Sequence, residues 1–195
     1  IDIMDQEWHR FEMDEESDVR VPGFMKEILA ELTSLARRSP DVNQRSGVSV
    51  RVSIGNYETI ISNAQRRAIR LKEAVASPRI SDLAFIPVST LGKIEMESME
   101  EGRESRVIDD LIKRAILNVF NRQFSVHEFE GLIQRFDEGL AVDVSDMMPS
   151  QAYVDRLGDM GGIGEAIQRF QADESPAAAA SSIEFLLEGL HLNRR

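Results

Sequence analysis

Apolar residues return every three or four positions along most of this chain, the signature of amphipathic helices. Phe24, Met25, Ile28, Leu29, Leu32, Leu35 and Ala36 form one such stripe, while Lys26, Glu27, Glu31 and Arg37 take the opposite face. Pro22 suits a first helical turn, where its missing N–H costs nothing. Ser39-Pro40 ends the pattern, because proline disfavours helical geometry in the residue before it. A second helix is predicted from about Ser49 to Glu73, with Val50, Ile54, Tyr57, Ile61, Ala64, Ala68 and Leu71 as its apolar stripe. Gly55 weakens it by roughly 1 kcal/mol against alanine. The helix therefore starts either at Ser49 or nearer Ser53, and the second choice leaves Arg51 in the approach loop.

Ser77-Pro78 punctuates the chain, and Ser81-Asp82 caps a short third helix carrying Leu83, Ile86 and Leu91. Residues 95–106 are mostly charged and read either as a hinge or as the exposed first turn of the next helix. Periodicity resumes from about Glu104 to Arg122 with Val107, Ile108, Leu111, Ile112, Ala115, Val119 and Phe120. Ser125 caps a further helix through Phe129, Leu132, Ile133 and Phe136 to Gly139. Leu140-Ala141-Val142-Asp143-Val144 alternates apolar and polar and is the best strand candidate. Short helices are predicted over Pro149–Leu157 and Gly164–Ala172, and a longer one from Ser175-Pro176 through Leu190. The whole reads as all-α, or mainly α, with room for one short β-strand pair.

Composition narrows the class. The 195 residues are 42% hydrophobic and 29% charged, enough for a real core in one domain or two small ones. No run approaches the length of a membrane span, and no basic-then-apolar leader opens the chain. Cysteine is absent, which removes disulfides and thiolate chemistry. These features lead to a cytoplasmic expectation. The net charge is −11, and residues 1–18 hold eight carboxylates against Arg10 alone, a balance of −7 that leaves −4 for the rest. Such a surface repels nucleic acid and anionic membrane, so neither is expected as a partner. The acidic segment has few apolar residues and is expected to order poorly, apart from Trp8 and Phe11. The chain opens without Met inside this segment, which reads as a piece of a longer protein.

The chemistry concentrates between the first two helices. There the sequence runs Ser39-Pro40-Asp41-Val42-Asn43-Gln44-Arg45-Ser46-Gly47-Val48-Ser49-Val50-Arg51. Gly-x-Ser-x-Arg, with Gly47, Ser49 and Arg51, opens the second helix and presents an arginine from a rigid element, a device for meeting a phosphate. Upstream lie Arg37-Arg38 and Pro40-Asp41-Val42; downstream, Pro78 and Asp82-Leu83 open the third helix. In this order and spacing, residues from about Val19 to Met96 resemble the C-terminal helical lid of AAA+ ATPases of the MoxR and magnesium-chelatase ATPase-subunit group. The sequence departs from that pattern at Val50 and Val52, and about the last 100 residues have no counterpart in the family's core.

The resemblance implies an acidic linker at 1–18, a lid subdomain at 19–97 and a C-terminal helical region at 98–195. It implies that Arg51 is the sensor-2 residue reaching the γ-phosphate of ATP, with Arg45 a lesser candidate for ATP or subunit contacts. The cofactors implied are ATP and Mg in the intact protein. The implied partners are the α/β AAA+ core of the same protein, further copies in a homo-oligomeric ring, and a protein with a von Willebrand factor A domain. The sequence contains no G-x-x-x-x-G-K-[ST] phosphate loop. This chain alone is therefore expected to bind no cofactor and to hydrolyse no ATP.

Other motifs read as ordinary structure. His127-x-Glu lacks the cysteines that complete a deaminase zinc site. Asp109-Asp110 are adjacent carboxylates that diverge on a helix. Gly161-Gly162-Ile163-Gly164 reads as a turn. The alternative to the lid reading is a non-enzymatic helical interaction module whose acidic tail binds a basic partner.

Overall fold

A computed structural model describes residues 18–43, 47–97, 103–142, 144–158, 160–170 and 175–194. The acidic segment up to residue 17, with Trp8 and Phe11, lies outside them, as does Arg45. Among the described residues the chain is mainly helical, with eight α-helices and one two-stranded sheet. None of these helices is long and apolar enough to cross a membrane.

The sheet is minimal. β1 (Asp18–Val19) pairs in parallel with β2 (Val75–Ala76), Asp18 opposite Val75 and Val19 opposite Ala76. The strand pair is thus not where alternation pointed: Leu140, Ala141, Val142 and Val144 form no strand. A lone alternating run cannot satisfy its backbone without a neighbouring edge, and among the described residues no strand pairs with it.

α1 (Gly23–Ala36) follows Pro22 and buries Phe24, Met25, Ile28, Leu29, Leu32, Leu35 and Ala36, the stripe expected. α2 (Val50–Leu71) begins at Ser49, whose hydroxyl accepts from the Arg51 N–H at 3.2 Å, so Arg51 belongs to the first helical turn. Its buried face differs from the expected stripe. Val50 is exposed, while Val52, Ile60, Asn56, Asn63 and Arg67 are buried beside Tyr57, Ile61, Ala64 and Ala68. The reason is that α2 is covered on two sides, by α1 and by the segment after β2. Asn56 is satisfied there, because its Oδ1 accepts from Ser89 Oγ at 2.7 Å and Thr90 Oγ1 at 2.9 Å.

The expected third helix is a 3₁₀ turn (Ile80–Phe85) running into α3 (Ile86–Thr90), with Leu83 and Ile86 buried. α4 (Arg103–Gln123) buries Ile108, Leu111, Ile112, Ala115, Ile116, Val119 and Phe120. Ser125 starts a 3₁₀ turn (Val126–Phe129), its N–H bonded to Glu128 Oε1 at 2.8 Å, and α5 (Glu130–Asp137) continues it. α6 (Ser150–Leu157) and α7 (Ile163–Arg169) follow. Gly161 and Gly162 both have positive φ at the start of α7, and a Cβ at Gly161 would lie 2.9 Å from Leu132 Cβ. The turn needs glycine for conformation and for space.

α8 (Pro176–Asn193) is the centre of the molecule. It is buried nearly all round, from Ala177 to Leu190, and packs against α4, α6 and α7. Its alanines and serines let neighbours approach closely. At Gly189 the approach is closest: a Cβ there would lie 2.1 Å from Phe120 Cδ2.

Hydrophobic packing crosses residue 97 without a break. α1 lies along α4, and both belong to one core with α8. Phe24 stacks on Phe185 with ring centroids 4.4 Å apart, and Phe120, Phe124, Phe129 and Phe170 complete a cluster drawn from separate stretches of the chain.

Candidate functional site

The loop that precedes α2 is held at both ends. Val42 makes an antiparallel bridge to Met96, with Asn43 N–H on the Glu95 carbonyl at 2.8 Å and Glu97 N–H on the Asp41 carbonyl at 2.9 Å. Arg37 Nε donates to the Val48 carbonyl at 3.2 Å. Gly47 has φ +65°, a left-handed turn that glycine adopts at little cost. Arg51 then projects from the first turn of a 22-residue helix, exposed, with no carboxylate of the described residues in an ion pair with it. A cation at a helix N-terminus opposes the helix dipole by a few tenths of a kcal/mol up to about 1 kcal/mol. Its position is therefore not explained by stability. The same N-terminus plus a guanidinium is well suited to an anion.

A second constellation is built around the 77–82 loop and was not read from the sequence. Two buried arginines build it. Arg67, on α2, donates to Asp82 Oδ1 and to the Ser77 carbonyl, both at 2.7 Å. Asp82 Oδ2 accepts from the Arg79 N–H at 2.7 Å, closing the turn. Arg79 is almost wholly buried; it donates to the Met148 carbonyl and to Ser150 Oγ, each at 2.8 Å. Its guanidinium lies 4.8 Å from the centre of the Tyr153 ring and 3.9 Å from Glu184 Oε1. Glu184, on α8, accepts from Tyr153 Oη at 2.7 Å and from the Ser81 N–H at 2.9 Å. Ser150 in turn donates its N–H and Oγ to Glu73, at 2.6 and 2.9 Å.

Burial dominates the electrostatics here. It raises the Tyr153 phenol well above its ordinary value, and the neighbouring Glu184 carboxylate pushes the same way. It lowers the Arg79 guanidinium, with Arg67 adding repulsion and Glu184 opposing both. The phenol has one proton, so its 2.7 Å bond to Glu184 is the principal one and the 3.2 Å approach to the Ser145 carbonyl the weaker branch. The charged groups of this network and the Tyr153 hydroxyl are all engaged with one another or with backbone, which suits it to joining segments distant in sequence.

Beside the network opens a cavity of about 500 Å³. Ile80, Ile133, Phe136, Val142, Val144 and Leu187 form apolar walls, Tyr153, Glu184 and Ser81 lie at the base, and Asp146, Glu188, His191 and Arg194 stand around it. Ser81 Oγ is buried without a hydrogen-bond partner among the described residues. Arg194 is paired with Asp137. The volume falls within the range of ligand-binding clefts.

The remaining motifs are ordinary. His127 Nδ1 sits 2.7 Å from Glu130 on the surface. Asp109 and Asp110 are both exposed. No group of three or more metal-ligating side chains occurs among the described residues. Arg51, Arg79 and the cavity are three separate features, and the sequence pointed only to the first. Arg67, Arg79 and Glu184 carried no signal, because a charged residue on a helical pattern reads as surface until its neighbours are known. The chain matches no protein-family model, no curated protein and no solved structure.

Proposed function

We propose that this chain is the nucleotide-sensing lid and partner-coupling part of a magnesium-chelatase-like AAA+ ATPase. In this reading Arg51 meets the γ-phosphate of ATP held by an α/β core of the same protein, and ATP and Mg bind at that core. The observation that carries it is the presentation of Arg51: rigid, exposed, without an ion-pair partner among the described residues and set against the local dipole at the start of α2. Movement of α2 on nucleotide binding would pass to the rest of the chain through the core shared by α1, α4 and α8. Ring assembly and a von Willebrand factor A domain partner belong to the same proposal, resting on the motif order alone.

The test is made in the longer protein that carries the phosphate loop. Arg51→Ala should depress steady-state ATP hydrolysis tens-fold, because a charge-assisted contact is worth about 1.5–3 kcal/mol. Arg51→Lys should recover only part of it, since lysine lacks the planar fork. Arg51→Ala should not lower the urea midpoint of the present chain and should raise it slightly, because a cation opposing the helix dipole is removed. An upstream sequence without a phosphate loop, or normal hydrolysis and assembly by Arg51→Ala, refutes the reading. A second reading, a non-enzymatic helical interaction module, is favoured by the 500 Å³ cavity, whose lining does not include Arg51.

A further inference from the structure

We infer that the cavity between α5, α8, Val142 and the stretch from Val144 to Asp146 is a docking site for a basic amphipathic segment of a partner protein. The inference does not depend on the role of Arg51. Three observations carry it. The walls are apolar, and one of them, Val144, is 53% exposed, so the cavity opens to the surface through an apolar rim. An open apolar rim beside carboxylates suits an amphipathic segment lying across it. The charges around the walls are the second observation. Asp146 and Glu188 are carboxylates without an ion pair among the described residues, whereas the nearby cation Arg194 is already held by Asp137. The uncompensated charge is negative, and it selects lysine or arginine flanking an apolar side chain. Third, the base is polar and pre-formed. Tyr153 is fully buried and hydrogen-bonded to Glu184, Arg79 sits behind them, and Ser81 Oγ is buried without a partner among the described residues. A cavity so braced does not collapse when empty, which lowers the cost of binding.

The occupant would place one large apolar side chain between Phe136, Val142 and Leu187 and set its basic residues against Asp146 and Glu188. The same carboxylates disfavour an acidic segment.

The probe is a short amphipathic helix built only of leucine and lysine, titrated into the whole chain by calorimetry. Two control peptides accompany it, one with glutamate in place of lysine and one with serine in place of leucine. The leucine–lysine peptide should bind one to one, and more weakly as salt rises. Both controls should bind at least about tenfold more weakly, a difference of about 1.4 kcal/mol. The double variant Asp146→Lys/Glu188→Lys should lose binding by a similar factor. Asp109→Lys/Asp110→Lys, an equal charge change on the exposed face of α4, should leave it intact. Leu187→Trp should abolish binding by filling the cavity; Val144→Trp, at an exposed position that cannot endanger folding, should do the same at its mouth. The inference is overturned if the probe does not bind, if the glutamate peptide binds as well, if the two tryptophan variants bind normally, or if charge reversal at Asp109 and Asp110 weakens binding as much as reversal at the cavity. Binding of decylamine that displaces the peptide supports the apolar–cationic chemistry. Binding of decylamine without the peptide overturns the choice of a protein segment.

Discussion

Replacing Arg79 by methionine tests the buried network most directly, because nearly all of what that side chain does can be written down. Methionine keeps much of the apolar stem and removes the charge. Three things are lost: the hydrogen bonds to the Met148 carbonyl and Ser150 Oγ, the face contact with Tyr153, and the cation 3.9 Å from Glu184. Ser150 retains Glu73 as partner, so the heavier loss falls on Met148 and Glu184. Stranding one charge of a buried pair costs about 3–5 kcal/mol. Some of this is returned because Arg67 no longer faces a second guanidinium, so about 3 kcal/mol is the expected net loss. That is a large share of the 5–15 kcal/mol that holds a typical domain together. Glu184→Leu should be similarly costly, since it leaves the Arg79 charge without its neighbouring carboxylate, the Ser81 N–H without its acceptor and the Tyr153 hydroxyl with the weaker Ser145 carbonyl alone. The double variant Arg79→Met/Glu184→Leu buries neither charge, so its loss should fall short of the sum of the singles by about 1–3 kcal/mol. Urea unfolding followed by far-ultraviolet circular dichroism, with unchanged slope, gives all four corners of the cycle. Strict additivity, or a loss below about 1 kcal/mol for Arg79→Met, would refute the claim that the pair holds α8 to the 77–82 loop.

Other changes bear on the core and its surface. Leu32→Ala and Ile61→Ala, both at nearly buried positions on α1 and α2, should each cost about 2–5 kcal/mol in the same unfolding assay; losses well below that at both would mean these faces are not packed. Gly189→Ala should destabilise despite the roughly 1 kcal/mol that alanine contributes in a helix, because Phe120 stands where the methyl must go and overpacking costs about 1–3 kcal/mol; a raised melting temperature would contradict the close approach of α4 and α8. Glu31 is held below the usual carboxylate range, first by the Asn118 hydrogen bond at 2.8 Å and then by Arg122. Its contribution is therefore present above the unfolded value near pH 4.3 and lost as pH falls through the folded one, so the stability difference between wild type and Glu31→Gln should shrink on acidification from about pH 7 to about pH 3. Parallel pH profiles would rule that contribution out.

Periodicity alone determined the helices of this protein and most of their limits. A helix buries one face, so its spacing is written locally, and caps such as Ser49, Ser125 and Ser175 mark where backbone donors need partners. The arginine at the start of α2 was legible for the same reason: its setting is a short-range motif. What only the tertiary structure decided is everything that depends on a second surface. α2 buries Asn56, Asn63 and Arg67 because the residues after β2 cover its flank and satisfy them, and no local pattern marks a polar residue as buried. The strand pair joins positions 18–19 to 75–76, while no strand of the described residues pairs with Leu140, Ala141, Val142 or Val144. α8 reads as a helix with small residues, yet its sidedness vanishes because α4, α6 and α7 enclose it. The Arg79–Glu184–Tyr153 network and the cavity beside it unite residues from four separate stretches. A charge becomes a buried partner, and a wall becomes a cavity, only when chain folding brings them within contact distance; that distance is a property of the packed molecule and of no segment of its sequence.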